Sequence, residues 1–187
     1  MPSVKTSRED ILHRCWQVIH LHGYQASSVS MLAKAAGLGK AGLLHHFGSK
    51  EGLMHAVVSY AAQAFRDYVF AVAREDLPPE QRLEKMLRRQ NRLAKLDQRG
   101  CFFTNLIMET GQSGRFNEQL QTFYEEWQAT LVSLLTERLD AALAKEQAYL
   151  LLVEYQGSVA LYKLSGDEQH LEKYVRRAVQ LLSVPSS

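Results

Sequence analysis

The sequence predicts an all-α protein of about nine helices, with a small three-helix head at the N-terminus and a larger helical body after it. Apolar residues recur at intervals of three and four along most of the chain, as they do on one face of a helix. Ser, Gly and Pro residues separate these stretches at positions where helices start and stop. No stretch alternates apolar and polar residues for long enough to form a strand. We assign residues 1–53 to the head and 54–187 to the body.

The first helix is predicted to run from Ser7 to His22. Ser7 can cap it, and the acids Glu9 and Asp10 favour the positive end of the helix dipole. Gly23 ends it. Its buried face consists of Ile11, Leu12, Cys15, Val18 and Ile19. Cys15 is therefore expected to be a small core side chain.

Two further short helices are predicted between Ser28 and Phe47. Ser28 is a good capping residue, and the apolar spacing after it ends at Gly37, where a left-handed residue is wanted. A second helix then runs from Lys40 to Phe47. Two helices joined by such a tight turn form a helix-turn-helix, in which the second helix enters the DNA major groove.

Six helices are predicted for the body. Ser49 and Lys50 open a long one, which has to end before Pro78. The others are expected at Pro79 to Asp97, from about Phe102, at Arg115 to about Ala144, at about 146–164 and at about 167–182.

The last two helices carry more apolar surface than one small body can cover. The final helix has a continuous apolar stripe of Leu171, Tyr174, Val175, Ala178, Leu181 and Leu182. The helix before it is apolar over much of its girth, and Gly157 and Ala160 allow close approach of another helix. Apolar surface of this extent indicates a partner. We therefore expect a homodimer formed through helices 146–164 and 167–182.

Composition and charge indicate an ordinary globular protein with a basic head. Residues 1–55 carry six Lys or Arg and three acids, so their net charge is +3, against +2 for all 187 residues. A basic head fits phosphate binding. No apolar run approaches the roughly 20 residues that span a bilayer, and no signal-peptide pattern is present, so we expect a cytoplasmic protein with no membrane partner. The two cysteines have no metal-ligand spacing.

The run from Leu32 to Leu53, LAKAAGLGKAGLLHHFGSKEGL, resembles the N-terminal signature of the tetracycline-repressor (TetR) family of bacterial transcription regulators. The matching residues are Leu32, Ala33, Ala36, Gly37, Lys40, Leu43, His45, His46, Phe47, Ser49, Lys50, Glu51 and Leu53. The chain departs from the family pattern at Gly39, Ala41, Gly42 and Leu44, where relatives usually have Ser, Gly, Thr and Tyr.

The resemblance implies a ligand-responsive regulator, more often a repressor, which leaves a palindromic DNA operator when a largely apolar small molecule enters the body. The DNA-contacting positions would be Ser28, Gly39, Lys40, Ala41, Gly42, Leu44, His45, His46 and Lys50. The ligand pocket would draw on Phe65, Tyr68, Cys101, Phe103, Asn105, Met108, Tyr124, Trp127, Tyr155 and Gln156. No cofactor, metal or catalytic activity is expected, because no catalytic motif is present.

Two questions stay open at this point. The run from Gly100 to Glu109, G-C-x-x-x-N-L-x-x-E, resembles one branch of the family in which some members sense electrophiles through a cysteine, so Cys101 is either a sensor or a packing residue. The missing hydroxyls in the second helix also leave room for a rival function. The protein would then keep the fold but bind a ligand or a protein partner without reading DNA. An all-α enzyme is the third alternative.

Overall fold

The structure is a computed structural model that describes residues 7–183, with the side chains of residues 97 and 183 excepted. Lys5, which the sequence counts among the basic residues of the head, lies outside this range. The described residues form nine α-helices and three short 3-10 turns, and they include no strand. The α-helices are α1 (Arg8–His22), α2 (Val29–Ala35), α3 (Lys40–Phe47), α4 (Lys50–Tyr68), α5 (Pro79–Lys95), α6 (Phe102–Thr110), α7 (Asn117–Leu135), α8 (Ala141–Ser165) and α9 (Gln169–Ser183).

The helices divide between two compact units that are not continuous in sequence. The first unit contains residues 7–64 and 105–120, and the second contains residues 65–104 and 121–183. The chain therefore passes from one unit to the other three times. Within 7–183, no helix is both long and apolar enough to cross a membrane.

Local signals start and end the first three helices where the sequence predicts. The Ser7 hydroxyl accepts the Asp10 N–H at 3.0 Å, and the Asp10 carboxylate accepts the Ser7 N–H at 3.1 Å, which is a capping box. The Ser7 hydrogen bond holds the pKa of Asp10 below its ordinary value. Gly37 ends the α2 region with φ +71°, a backbone conformation that other residues adopt only with strain.

The core of the first unit is built from apolar faces of α1, α2, α3 and α4. Its fully buried members include Ile11, Cys15, Leu32, Ala36, Leu43, Leu53, Met54, Val57 and Phe116. Cys15 is 0% exposed, and burial raises the pKa of its thiol to about 11. A buried neutral thiol is unreactive, so Cys15 is the packing residue that its position on the α1 stripe predicts.

The second unit is built around Trp127 of α7, which is fully buried among aromatic rings. Helices α5, α8 and α9 complete this unit. Asn91 of α5 donates a hydrogen bond to the Leu171 carbonyl of α9 at 3.3 Å. Arg88 of α5 also pairs with Glu172 of α9, with its guanidinium 3.2 Å from the carboxylate.

The predicted helix from Arg115 to about Ala144 is wrong in one respect, because the chain breaks it in two. Helix α7 ends at Leu135, and α8 begins at Ala141. The Asp140 carboxylate accepts the N–H groups of Ala142 and Leu143 at 3.1 and 3.0 Å, so it caps a new helix. The apolar spacing continues through the break, which is why periodicity alone does not reveal it.

The apolar stripe of α9 is covered inside the second unit and is not a free surface. Leu171, Val175 and Ala178 are each at most 1% exposed. The prediction that this stripe needs a partner chain to cover it is therefore wrong. Of the last two helices, it is α8 that carries exposed large apolar residues, namely Leu143, Tyr149, Val153, Leu161 and Leu164.

Candidate nucleic-acid interface

Helix α3 presents a continuous exposed surface made of the residues that the sequence assigns to DNA. Leu43 anchors the helix with 1% exposure, and Phe47 is half-buried beneath the Arg8 guanidinium, which lies 4.8 Å from its ring. The opposite side of the helix faces solvent. Its exposed positions are Gly39, Lys40, Ala41, Leu44, His45 and His46, with Gly42 half-exposed between them.

Ser28 takes the structural role that its position predicts, as the N-cap of α2. Its hydroxyl oxygen accepts the Met31 N–H at 3.2 Å. A hydroxyl can accept one hydrogen bond and donate another, so the Ser28 proton can still be donated to a phosphate oxygen.

Lys50 lies in a different environment from Lys40. Whereas Lys40 is exposed, Lys50 is half-buried and its ammonium donates to the Gln25 carbonyl at 3.3 Å. The same ammonium lies 4.4 Å from the centre of the Tyr24 ring, a cation–π contact. Burial lowers the pKa of Lys50, and the nearby charge of Glu109 opposes that shift. In this arrangement Lys50 is bound to the turn between α1 and α2.

Glu109 holds that same turn. In the sequence it is visible only as the last residue of the G-C-x-x-x-N-L-x-x-E run. Its carboxylate accepts the main-chain N–H of Tyr24 at 2.8 Å and that of Gln25 at 2.5 Å. The approach is close enough that a Cβ on Gly23 would lie 3.0 Å from the carboxylate. Glycine at position 23 therefore leaves room for the carboxylate as well as ending α1.

The segment 111–120 makes further contacts inside the first unit. The Tyr24 ring meets Phe116 edge-on, with centroids 5.3 Å apart, and the His55 ring lies 4.9 Å from Phe116. The Gln119 side chain donates to the His55 carbonyl and to the Ser59 hydroxyl at 3.1 and 2.7 Å. A segment distant in sequence thus supports both the α1–α2 turn and the start of α4.

Most of the predicted ligand residues meet in one aromatic cluster of the second unit. Phe103 stacks on Phe123 with centroids 4.0 Å apart, and Trp127 contacts Phe65 and Tyr155 at 4.8 and 5.3 Å. Beside the rings, the Tyr124 hydroxyl lies within 3.3 Å of both the Thr104 hydroxyl and the Gln156 amide nitrogen. Burial raises the pKa of Tyr124, so its hydroxyl stays neutral and can both donate and accept.

Three predicted ligand residues lie elsewhere. Tyr68 packs against the Arg89 guanidinium of α5 at 5.1 Å, and its hydroxyl accepts from Arg92. Met108 is 83% exposed, and both Met108 and Asn105 belong to the first unit. The aromatic cluster of the second unit is therefore formed without these three residues.

Cys101 lies beside this cluster, one residue before α6. It is 5% exposed, and its thiol is close enough to the Tyr155 hydroxyl to add to the raised pKa that burial gives Tyr155. Reactive cysteines are partly exposed and lie in electropositive surroundings. The burial of Cys101 therefore favours its interpretation as a packing residue.

Helix α3 is supported by α2, and its outer side is exposed at the basic end of the chain. This arrangement defines a helix-turn-helix DNA-binding protein. Comparison with known proteins agrees. Residues 11–57 match the profile "Bacterial regulatory proteins, tetR family". Residues 79–177, more than half of the chain, match "Transcriptional regulator LmrA/YxaF-like, C-terminal domain". The chain belongs to the TetR family of bacterial transcriptional regulators.

Individual relatives are distant in sequence but similar in fold. An uncharacterized HTH-type transcriptional regulator in the lacX 3′ region of Lactococcus lactis subsp. lactis is 24% identical over 177 residues, which cover 91% of this chain and 90% of that protein. A TetR regulator from Legionella pneumophila has a TM-score of 0.86 at 23% identity, with 97% and 100% of the two chains covered. The reduced form of NemR from E. coli has a TM-score of 0.82 at 20% identity, with 96% and 99% covered.

Proposed function

We propose that the protein is a cytoplasmic, homodimeric repressor that binds a palindromic DNA operator and is released from it by a small, largely apolar molecule. The observation that carries the proposal is the exposed surface of α3, because every side chain that the family motif assigns to DNA on this helix is accessible. The release step would use the aromatic cluster of the second unit. A ligand there would favour one of two arrangements of the dimer, and the operator would favour the other.

Binding to DNA should depend strongly on salt, and Lys40 should account for part of that dependence. A dimer presents Lys40 twice, so Lys40→Ala removes two phosphate contacts. The slope of log affinity against log salt should become shallower by about 1.8, from 0.9 per phosphate. Sequence preference should not change, because phosphates carry no base information. The measurement is fluorescence anisotropy on the gene's own upstream region at several salt concentrations.

Arg74→Ala is the matched control for this experiment, since it removes the same charge from an exposed position in the second unit that lies on neither α8 nor α9. It should leave the slope unchanged. If the wild-type protein binds the upstream region no better than random DNA, even at low salt, the proposed repressor function is wrong.

In that case the rival function applies, a TetR-fold module that binds a ligand or a protein and does not read DNA. One observation favours it: Ala41, Gly42 and Leu44 offer no hydroxyl to a base edge or a phosphate. The same titration therefore separates the two functions.

Dimer formation is proposed through α8 together with α9, with the exposed apolar side of α8 at its centre. Val153 and Leu161 are each 49% exposed, and Leu164 is 84% exposed. Apolar side chains in such a row on one helix are typical of an interface.

Val153→Glu should leave the protein folded and convert the dimer to a monomer, because the carboxylate would have to be buried without a partner. Light scattering after size exclusion measures the mass, and circular dichroism checks the fold. A wild-type monomer at micromolar concentration would contradict this model.

A further inference from the structure

We propose that α3 reads its operator through the methyl groups of thymine, using the exposed apolar surface formed by Ala41 and Leu44. This inference rests on the proposed DNA-binding function and specifies which feature of the DNA is recognised. It assigns base readout to the positions at which the chain departs from its family pattern.

The exposed side of α3 carries two apolar side chains, those of Ala41 and Leu44. Ala41 and Leu44 are three residues apart, so they are neighbours on the helix surface. Both are exposed, and Leu44 is 37% exposed although it is a large apolar residue. Neither side chain can donate or accept a hydrogen bond. The major-groove edge offers one apolar group, the C5-methyl of thymine, and all its other distinguishing features are donors and acceptors. An apolar surface on this helix therefore discriminates T·A pairs by contact with that methyl group.

No packing contact inside the protein requires glycine at position 39 or at position 42. Gly39 has φ −75°, which any residue adopts, and no atom beyond its own chain neighbours lies within 4 Å of the position of its missing Cβ. A Cβ on Gly42 would meet only the Leu38 Cβ at 3.9 Å, an ordinary contact. Gly52 shows the opposite case, because its Cβ would lie 2.3 Å from the Phe47 carbonyl oxygen.

Gly42 also weakens a helix of only eight residues, since glycine is a poor helix former in a helix interior. Gly39 is the N-cap of α3, a position that glycine suits, whereas the reason for glycine at position 42 lies outside the chain. Glycine allows the backbone to approach a bound partner closely. With no side chain at position 42, α3 can lie deep enough in the groove for Ala41 and Leu44 to reach thymine methyls.

The size of the effect follows from the apolar surface that is buried. Burying one methyl group favours binding about fourfold. A two-fold symmetric dimer makes the contact in both half-sites, so one symmetric pair of methyls should be worth about 15-fold in affinity.

The test removes the methyl groups and leaves everything else in place. Duplexes that the protein binds are selected from random DNA, and each symmetric pair of thymines is then replaced by deoxyuridine, which keeps the same pairing and the same hydrogen-bonding groups. At least one replaced pair should weaken wild-type binding by about 10-fold or more. The same replacement should cost Leu44→Ala less than twofold, whereas Leu44→Met, which keeps an apolar side chain, should retain the sensitivity.

Two outcomes of this test overturn the inference in distinguishable ways. If the protein selects a defined duplex but every uridine replacement stays within twofold, the DNA-binding function stands and methyl readout is wrong. If no duplex is bound better than random DNA, the proposed function fails and the inference fails with it.

Gly42→Ala tests the close approach independently of base readout. The added methyl meets no crowded contact inside the protein and improves helix propensity, so the melting temperature should stay the same or rise. Affinity for the selected duplex should nevertheless fall by about 10-fold. Wild-type affinity in Gly42→Ala would overturn the close-approach argument.

Discussion

Val175→Glu should unfold the second unit, not merely separate a dimer. Val175 is 1% exposed within a single chain, on the face of α9 that packs in the core of this unit. A carboxylate placed there has no partner, and an uncompensated buried charge costs about 3–5 kcal/mol. That cost is a large part of the 5–15 kcal/mol that ordinarily stabilises a folded protein. Chemical denaturation followed by circular dichroism measures the loss.

The pH dependence of this variant provides a second test. Burial disfavours the charged form, so the pKa of the introduced carboxyl in the folded state is raised above its unfolded value of about 4.3. The destabilisation due to the charge should therefore be largest at neutral pH. It should decrease as the pH falls from the raised pKa of the folded state towards about 4.3, below which the carboxyl is protonated in both states. Val153→Glu, an equivalent change on the exposed side of α8, should remain folded at neutral pH. A folded, monomeric Val175→Glu protein would show instead that the α9 stripe belongs to the dimer interface.

Glu109→Ala should destabilise the first unit by about 2–3 kcal/mol, the second largest effect that we expect. The carboxylate accepts two main-chain N–H groups, and hydrogen bonds to a charged group are worth about 1.5–3 kcal/mol each, with the bond to Gln25 weaker because it lies at the exposed edge. Without Glu109 the N–H of the buried Tyr24 would have no acceptor. Hydrogen exchange at the Tyr24 and Gln25 amides should become roughly a hundredfold faster.

Met108→Ala is the control for this prediction, because it changes the neighbouring residue, whose side chain is 83% exposed. It should alter stability by no more than about 0.5 kcal/mol. Glu109→Gln keeps one oxygen acceptor and should lie between the two. Unchanged exchange at Tyr24 in Glu109→Ala would show that other contacts hold the turn.

Features that depend on neighbouring residues could be predicted from the sequence. The start and end of α3 at Lys40 and Phe47 follow from the glycines on either side, and the start of α1 follows from Ser7. The break at Asp140 could have been found by the same rule, because an Asp before an apolar stretch is a capping signal. It was masked by apolar spacing that continues across it.

Features that depend on distant residues could not be predicted. Nothing in the sequence shows that Glu109 contacts Tyr24, since the two positions are 85 residues apart. The α9 stripe could not be assigned to the core or to a dimer interface for the same kind of reason. Periodicity identifies the apolar side of a helix, but the choice between a neighbouring helix and a second chain depends on how the whole unit packs. Tyr68, the last residue of α4, packs against Arg89 of α5 and away from the aromatic cluster, which its spacing along α4 does not reveal.

The composition of the first unit has a consequence for synthesis on the ribosome and for protein engineering. Residues 105–120 supply Glu109, Phe116 and Gln119 to this unit, so a nascent chain cannot complete it until about 120 residues have emerged. The same holds for chimaeras that join the first unit to the second unit of another protein. A graft cut after residue 53 would leave the α1–α2 turn without its acceptor and Tyr24 without its ring partner. An exchangeable module has to include both stretches of the chain.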